Sequence, residues 1–77
     1  MIQVYIKTLT GKTITLQINR GANVAQLKKQ IQEQEGIPPA QQKIIFGGQL
    51  LADTRSLQSY NIHNQTTIHL ALRLTGD

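Results

Sequence analysis

The sequence has no cysteine and no tryptophan, and its aromatic residues are Tyr5, Phe46 and Tyr60 alone. Without thiols there is no disulfide, no cysteine-held metal and no thiolate nucleophile, so core packing must hold the chain together. No apolar run approaches the length of a bilayer crossing, and the opening MIQVYIK lacks the shape of a secretory leader. The expectation is a soluble protein of the cytoplasm and/or nucleus, with no membrane partner. Acidic residues are also scarce: Glu33, Glu35, Asp53 and Asp77 stand against eight Lys and Arg, giving a formal charge of +4. Glutamine and asparagine take up the other polar positions. The surplus favours a mildly acidic partner. It could also favour nucleic acid, which stands well behind a protein partner because the bases are scattered and are not interleaved with stacking aromatics.

What is present reads as one domain over residues 1–77, with 39% apolar residues and no repeat or linker. In IQVYIKTL, Ile2, Val4 and Ile6 alternate with Gln3, Tyr5 and Lys7, which predicts a strand with one buried face. TITLQI repeats the pattern with Ile14, Leu16 and Ile18. The LTGK between them supplies a glycine where a hairpin needs positive φ. After NRGA the period lengthens: Val24, Leu27 and Ile31 share one helical face, Asn23 is the expected N-cap and Gly36 the expected C-terminal glycine, followed by Pro38 and Pro39. KIIFGGQLL reads as a short strand, a Gly47-Gly48 turn and a shorter strand. A loop follows, with Leu57, Tyr60 and Ile62 as anchors, and TIHLALRL is a last strand. Its Ile68, Leu70 and Leu72 share one face, with His69, Ala71 and Arg73 on the other. The fold class is α+β: a mixed sheet with one helix packed across it, a β-grasp arrangement whose first and last strands can lie parallel at the centre.

Catalysis finds no foothold in this pattern. His63 and His69 are the general-base candidates near neutral pH, and neither has a serine or acid beside it in a triad-like motif. Gly47-Gly48 lacks the lysine of a phosphate loop, and two histidines without companions make a poor metal site. The expectation is a protein that is no enzyme, with no cofactor and no metal.

KTLTGKTITL at 7–16, EGIPP at 35–39, the glutamines 41 and 42, IF at 45–46, YNI at 60–62 and LRL at 72–74 together resemble the ubiquitin family, in order and in register along essentially the full chain. The resemblance implies the ubiquitin-like β-grasp. It aligns Ile2, not Met1, with the family's first residue, so Met1 reads as an added start. It also implies a partner-binding patch on the exposed sheet face at Leu9, Ile45 and Ala71, bordered by Gly48 and His69. Lys7, Lys43 and Arg73 form a basic rim. Ile37, Leu72 and Leu74 form a second apolar region, of which Leu72 can equally belong to the core by its alternation. Isolated surface leucine and isoleucine are ordinary; the resemblance is what makes them a site.

Two departures bear on activity. Ala71 stands where the family has valine, which removes up to roughly 1 kcal/mol of contact for a partner, and Lys43 replaces an arginine, keeping the charge without the planar fork. The chain-forming lysines that the resemblance implies are Lys7, Lys12 and Lys28, with Gln30, Gln34, Gln49 and Asn64 at the family's other lysine positions; Lys28 is expected to pair structurally with Asp53. Thr75, Gly76 and Asp77 take the place of the family's Arg-Gly-Gly ending, where a side chain obstructs activation and processing. The expected function is a monomeric, non-catalytic recognition module. It would be bound non-covalently by ubiquitin-binding domains and by proteasome or deubiquitinase-type receptors. The alternative is a covalent modifier whose C-terminus is processed or completed outside this segment, and a nucleic-acid-binding domain comes third.

Overall fold

The computed structural model describes residues 1–73. The two alternating N-terminal runs form β1 (Ile2–Thr8) and β2 (Thr13–Ile18), paired antiparallel from Ile2 opposite Ile18 to Lys7 opposite Thr13. Gly11, at φ 87°, closes their turn, its N–H donating to the Thr8 carbonyl at 3.0 Å. The chain then crosses the sheet as α1 (Val24–Glu35), returns through a 3₁₀ turn (Pro39–Gln41) into β3 (Gln42–Phe46) and β4 (Gln49–Leu50), and runs through a long loop with a second 3₁₀ turn (Gln58–Tyr60) into β5 (Thr66–Leu72). The sheet order is β2-β1-β5-β3-β4. β5 lies at the centre, parallel to β1 and antiparallel to β3.

The helix starts where its chemistry allows. Asn23 accepts from the Gln26 N–H through Oδ1 at 2.9 Å, and Gln26 Oε1 accepts from the Asn23 N–H at 3.0 Å. This reciprocal box satisfies two amides that the first helical turn leaves open. At the other end Gly36 turns left-handed at φ 73° and donates its N–H to the Gln32 carbonyl at 2.8 Å. Between these caps Val24, Leu27 and Ile31 are fully buried against the sheet.

Among the described residues the buried hydrophobic side chains are all aliphatic: Val4, Ile6, Ile14, Leu16, Ile18, Val24, Leu27, Ile31, Ile44, Leu51, Leu57, Ile62, Ile68 and Leu70. Phe46 and Tyr60 pack at its margin. The loop 51–65 is tied to the start of α1 by main-chain bonds: Val24 N–H donates to the Arg55 carbonyl at 3.0 Å and Leu57 N–H to the Ala22 carbonyl at 2.9 Å. Tyr60 spans the loop, its hydroxyl accepting from the Ala52 N–H at 2.9 Å while the Arg55 guanidinium lies 4.4 Å above its ring. The expected pair also forms, with the Lys28 ammonium 2.8 Å from Asp53 Oδ1; the lysine side chain is largely covered and the aspartate exposed.

One alternation stops short. Leu72 continues the face of Ile68 and Leu70, yet it is 45% exposed, because the sheet extends past the core at that end. It belongs to the surface, not to the packed interior.

Candidate recognition surface

The outward face is assembled by register. Lys7 on β1 and Ile45 on β3 both sit opposite His69 of β5, Leu50 on β4 sits opposite Ile45, and Lys43 sits opposite Ala71. A row across four strands therefore reads Lys7, His69, Ile45, Leu50, with Lys43 and Ala71 in the adjacent position. Directly opposed residues point to the same face about 5 Å apart, so this row is one continuous patch. Ile45, Ala71 and Lys43 are half-buried, while Lys7 and His69 are exposed. Gly47 and Gly48, at φ 64° and 76°, make the tight turn that folds β4 back and sets Leu50 against Ile45. A side chain at either glycine would meet no neighbour within 4 Å; only the backbone conformation excludes it.

Leu9 is placed differently from Ile45 and Ala71. It stands 82% exposed in the β1–β2 turn, where it lines a cleft of about 180 Å³ with Ile37, Leu70 and Leu72. The same cleft is bordered by Lys12 and Glu35, whose ion pair at 2.9 Å ties the turn to the end of α1. Leu9 thus stands in the second apolar region alongside Ile37 and Leu72. Leu74, Thr75, Gly76 and Asp77 lie outside the described residues.

A larger hollow, of about 560 Å³, flanks the basic side of the patch and brings Lys28, Lys43 and Arg73 together with Asp53 and Leu50. Among the described residues three cations line this flank against one acid, and that acid is held by Lys28. Arg73 is anchored by its N–H donating to the Gln41 carbonyl at 2.7 Å. The three lysines expected to accept chains differ in access. Lys7 is exposed, Lys12 is paired with Glu35, and the Lys28 side chain is only 12% exposed against Asp53.

Two residues of this region were not singled out from sequence. Leu50 is 58% exposed at the edge of the patch; a two-residue strand is too short for alternation to reveal which way it points. Gln42 is the other. It is 3% exposed, its Nε2 donating to the Lys28 and Ile37 carbonyls at 2.9 Å each, so it staples the helix and the following turn to β3. Its Oε1 has no partner among the described residues.

A single helix laid across a five-stranded mixed sheet, with parallel first and last strands and an apolar patch in a basic rim on the open face, is the ubiquitin-like β-grasp. The model of the ubiquitin family matches residues 4–75, and the chain belongs to that family. It is similar to Ubiquitin-like protein 1 of Schizosaccharomyces pombe, 42% identical over 71 residues that cover 92% of this chain and 91% of the relative. It is 41% identical to Ubiquitin-like protein NEDD8 of Dictyostelium discoideum, covering 92% of each. Against Ubiquitin-like protein 4A of Esox lucius it is 32% identical over 94% of this chain, but there the match takes up 47% of the relative.

Proposed function

We propose that this chain is a non-catalytic recognition module, bound non-covalently by ubiquitin-system proteins through the face that carries Ile45, Ala71 and Leu50 and through Leu9 beside it. The observation that carries the reading is the register: β3, β4 and β5 bring Ile45, Leu50 and Ala71 into one patch with Lys7, Lys43 and Arg73 around it. Burying such a patch supplies the affinity, and the basic rim steers an acidic partner into place. The partners are ubiquitin-binding domains and receptors of the proteasome or deubiquitinase type, met by a monomer in the cytoplasm and/or nucleus. The test is titration of a purified ubiquitin-binding domain into the labelled chain. Ile45→Ala and Leu9→Ala should each weaken binding about five- to tenfold. Unchanged affinity in both would overturn the reading.

A second reading, a covalent modifier matured outside this segment, is favoured by the near-complete coverage of relatives such as Ubiquitin-like protein NEDD8. It requires a thioester with an activating enzyme and ATP. Under the recognition reading the chain does not charge, whereas a variant carrying Thr75→Arg and Asp77→Gly does. Charging of the unaltered chain would make it a modifier.

A further inference from the structure

At the end of the sheet where β1 and β5 begin lies a separate hollow of about 320 Å³, lined by Arg20, Gln58, Asn61, Ile62 and His63. Its frame is main chain. Gln58 N–H donates to the Arg20 carbonyl and Asn61 N–H to the Gln58 carbonyl, both at 3.1 Å. His63 N–H donates to Thr66 Oγ1 at 3.1 Å, and Thr66 N–H returns to the His63 carbonyl at 3.2 Å. Ile62 is buried and anchors the floor, while the other four lining residues are exposed and polar.

The four polar side chains are donors without an acid among them. Arg20, Gln58 and Asn61 have no side-chain hydrogen bond or ion pair among the described residues, and no acid lines the wall. Glu35 and Asp53 are held by Lys12 and Lys28, and Glu33 lies on α1. His63 Nδ1 lies 3.3 Å from the Asn64 carbonyl oxygen. A carbonyl only accepts, so when this contact is a hydrogen bond the proton is on Nδ1 and Nε2 has no partner among the described residues. Nε2 accepts from a protonated oxygen in the neutral ring and donates to an ionised one in the imidazolium.

We propose that this hollow binds a phosphate group. The Arg20 guanidinium grips two oxygens, the Gln58 and Asn61 carboxamides donate to others, and His63 Nε2 matches either protonation state of a group whose second ionisation lies near pKa of about 6. A carboxylate offers two oxygens and engages the guanidinium alone, whereas a phosphate has further oxygens for the carboxamides. The site is independent of the apolar face: at least roughly 15 Å of β5 separates it from Ala71, so one partner can occupy each. The group can arrive as free phosphate or on a phosphorylated side chain of another protein.

Two-dimensional amide spectra of the full chain decide the matter, recorded with inorganic phosphate, with chloride and sulfate at matched ionic strength, and with a phosphoserine peptide beside its unphosphorylated form. Saturating shifts are expected at residues 20, 58 and 61–63 with phosphate or the phosphopeptide, and not with the unphosphorylated peptide. Saturation by inorganic phosphate marks the free ion as sufficient; saturation by the phosphopeptide alone assigns the group to a partner protein. Arg20→Gln should weaken binding at least about tenfold, Lys43→Gln should leave it unchanged, and His63→Gln should abolish the preference for phosphate over sulfate. Equal shifts with chloride and sulfate, shifts spread evenly over Lys7, Lys43 and Arg73, or full binding by Arg20→Gln would overturn the proposal. So would silence at the hollow with both phosphate probes.

Discussion

Gln42 shows how one side chain can bind three elements. Its amide nitrogen bridges the Lys28 carbonyl on α1 and the Ile37 carbonyl beyond it while its backbone sits in β3. Replacing it with leucine of similar bulk removes both donors and leaves two carbonyls short of a partner. Gln42→Leu should cost about 1–3 kcal/mol of stability, read by chemical denaturation, with no direct change to the apolar face. A polar letter in a strand argues for an outward position unless its partners are known, so this role could not be read from the sequence. Leu50 fails in the opposite direction: an apolar letter beside Leu51 suggests the interior, and the structure leaves it on the patch. Because more than half of it is already exposed, Leu50→Gln should leave stability within about 0.5 kcal/mol of the parent while weakening a patch-directed partner. The converse, Ala71→Val, restores two methyls and should tighten such a partner by up to about 1 kcal/mol, as titration calorimetry would show.

The elements were more legible than their surroundings. Period-two runs and the three-and-four spacing of Val24, Leu27 and Ile31 located β1, β2, β5 and α1, because each buries one face against a single core and hydrophobicity records that face directly. Asn23 and Gly36 were readable as caps for the same local reason. What hydrophobicity does not record is where cover ends, so Leu72 has the direction of a core residue and the surroundings of a surface one. The caps also yield a sharp comparison. At Gly36 an added methyl meets nothing within 4 Å, so Gly36→Ala carries only the left-handed backbone penalty, about 1 kcal/mol. Asn23→Ala loses a side-chain acceptor instead, also about 1 kcal/mol. Hydrogen exchange separates the two: the first should loosen amides at the end of α1, the second those at its start.

For the molecule as a whole, charge and topology dominate. With Glu35 and Asp53 each occupied by a lysine, Lys7, Arg20, Lys29, Lys43 and Arg55 remain without an acidic partner among the described residues. Their mutual repulsion is screened by salt, so the melting temperature should rise modestly with ionic strength while affinity for an acidic partner falls. A melting temperature that drops across the same series would show that the two ion pairs outweigh the repulsion.

The place of β5 has a consequence for a chain emerging from a ribosome. β1 and β3 do not touch each other in the sheet; each is paired to its hairpin partner on one edge and finds its second neighbour only in β5, the strand made after both. Until Thr66–Leu72 is synthesised, the nascent chain is a hairpin, a helix and a second hairpin with no strand to join the two hairpins into one sheet, and Ile6 and Ile44 lack Ile68 and Leu70 between them. Folding is therefore postponed to the end of translation of this domain, and a product stopped before Thr66 would present two unpaired strand edges to its surroundings.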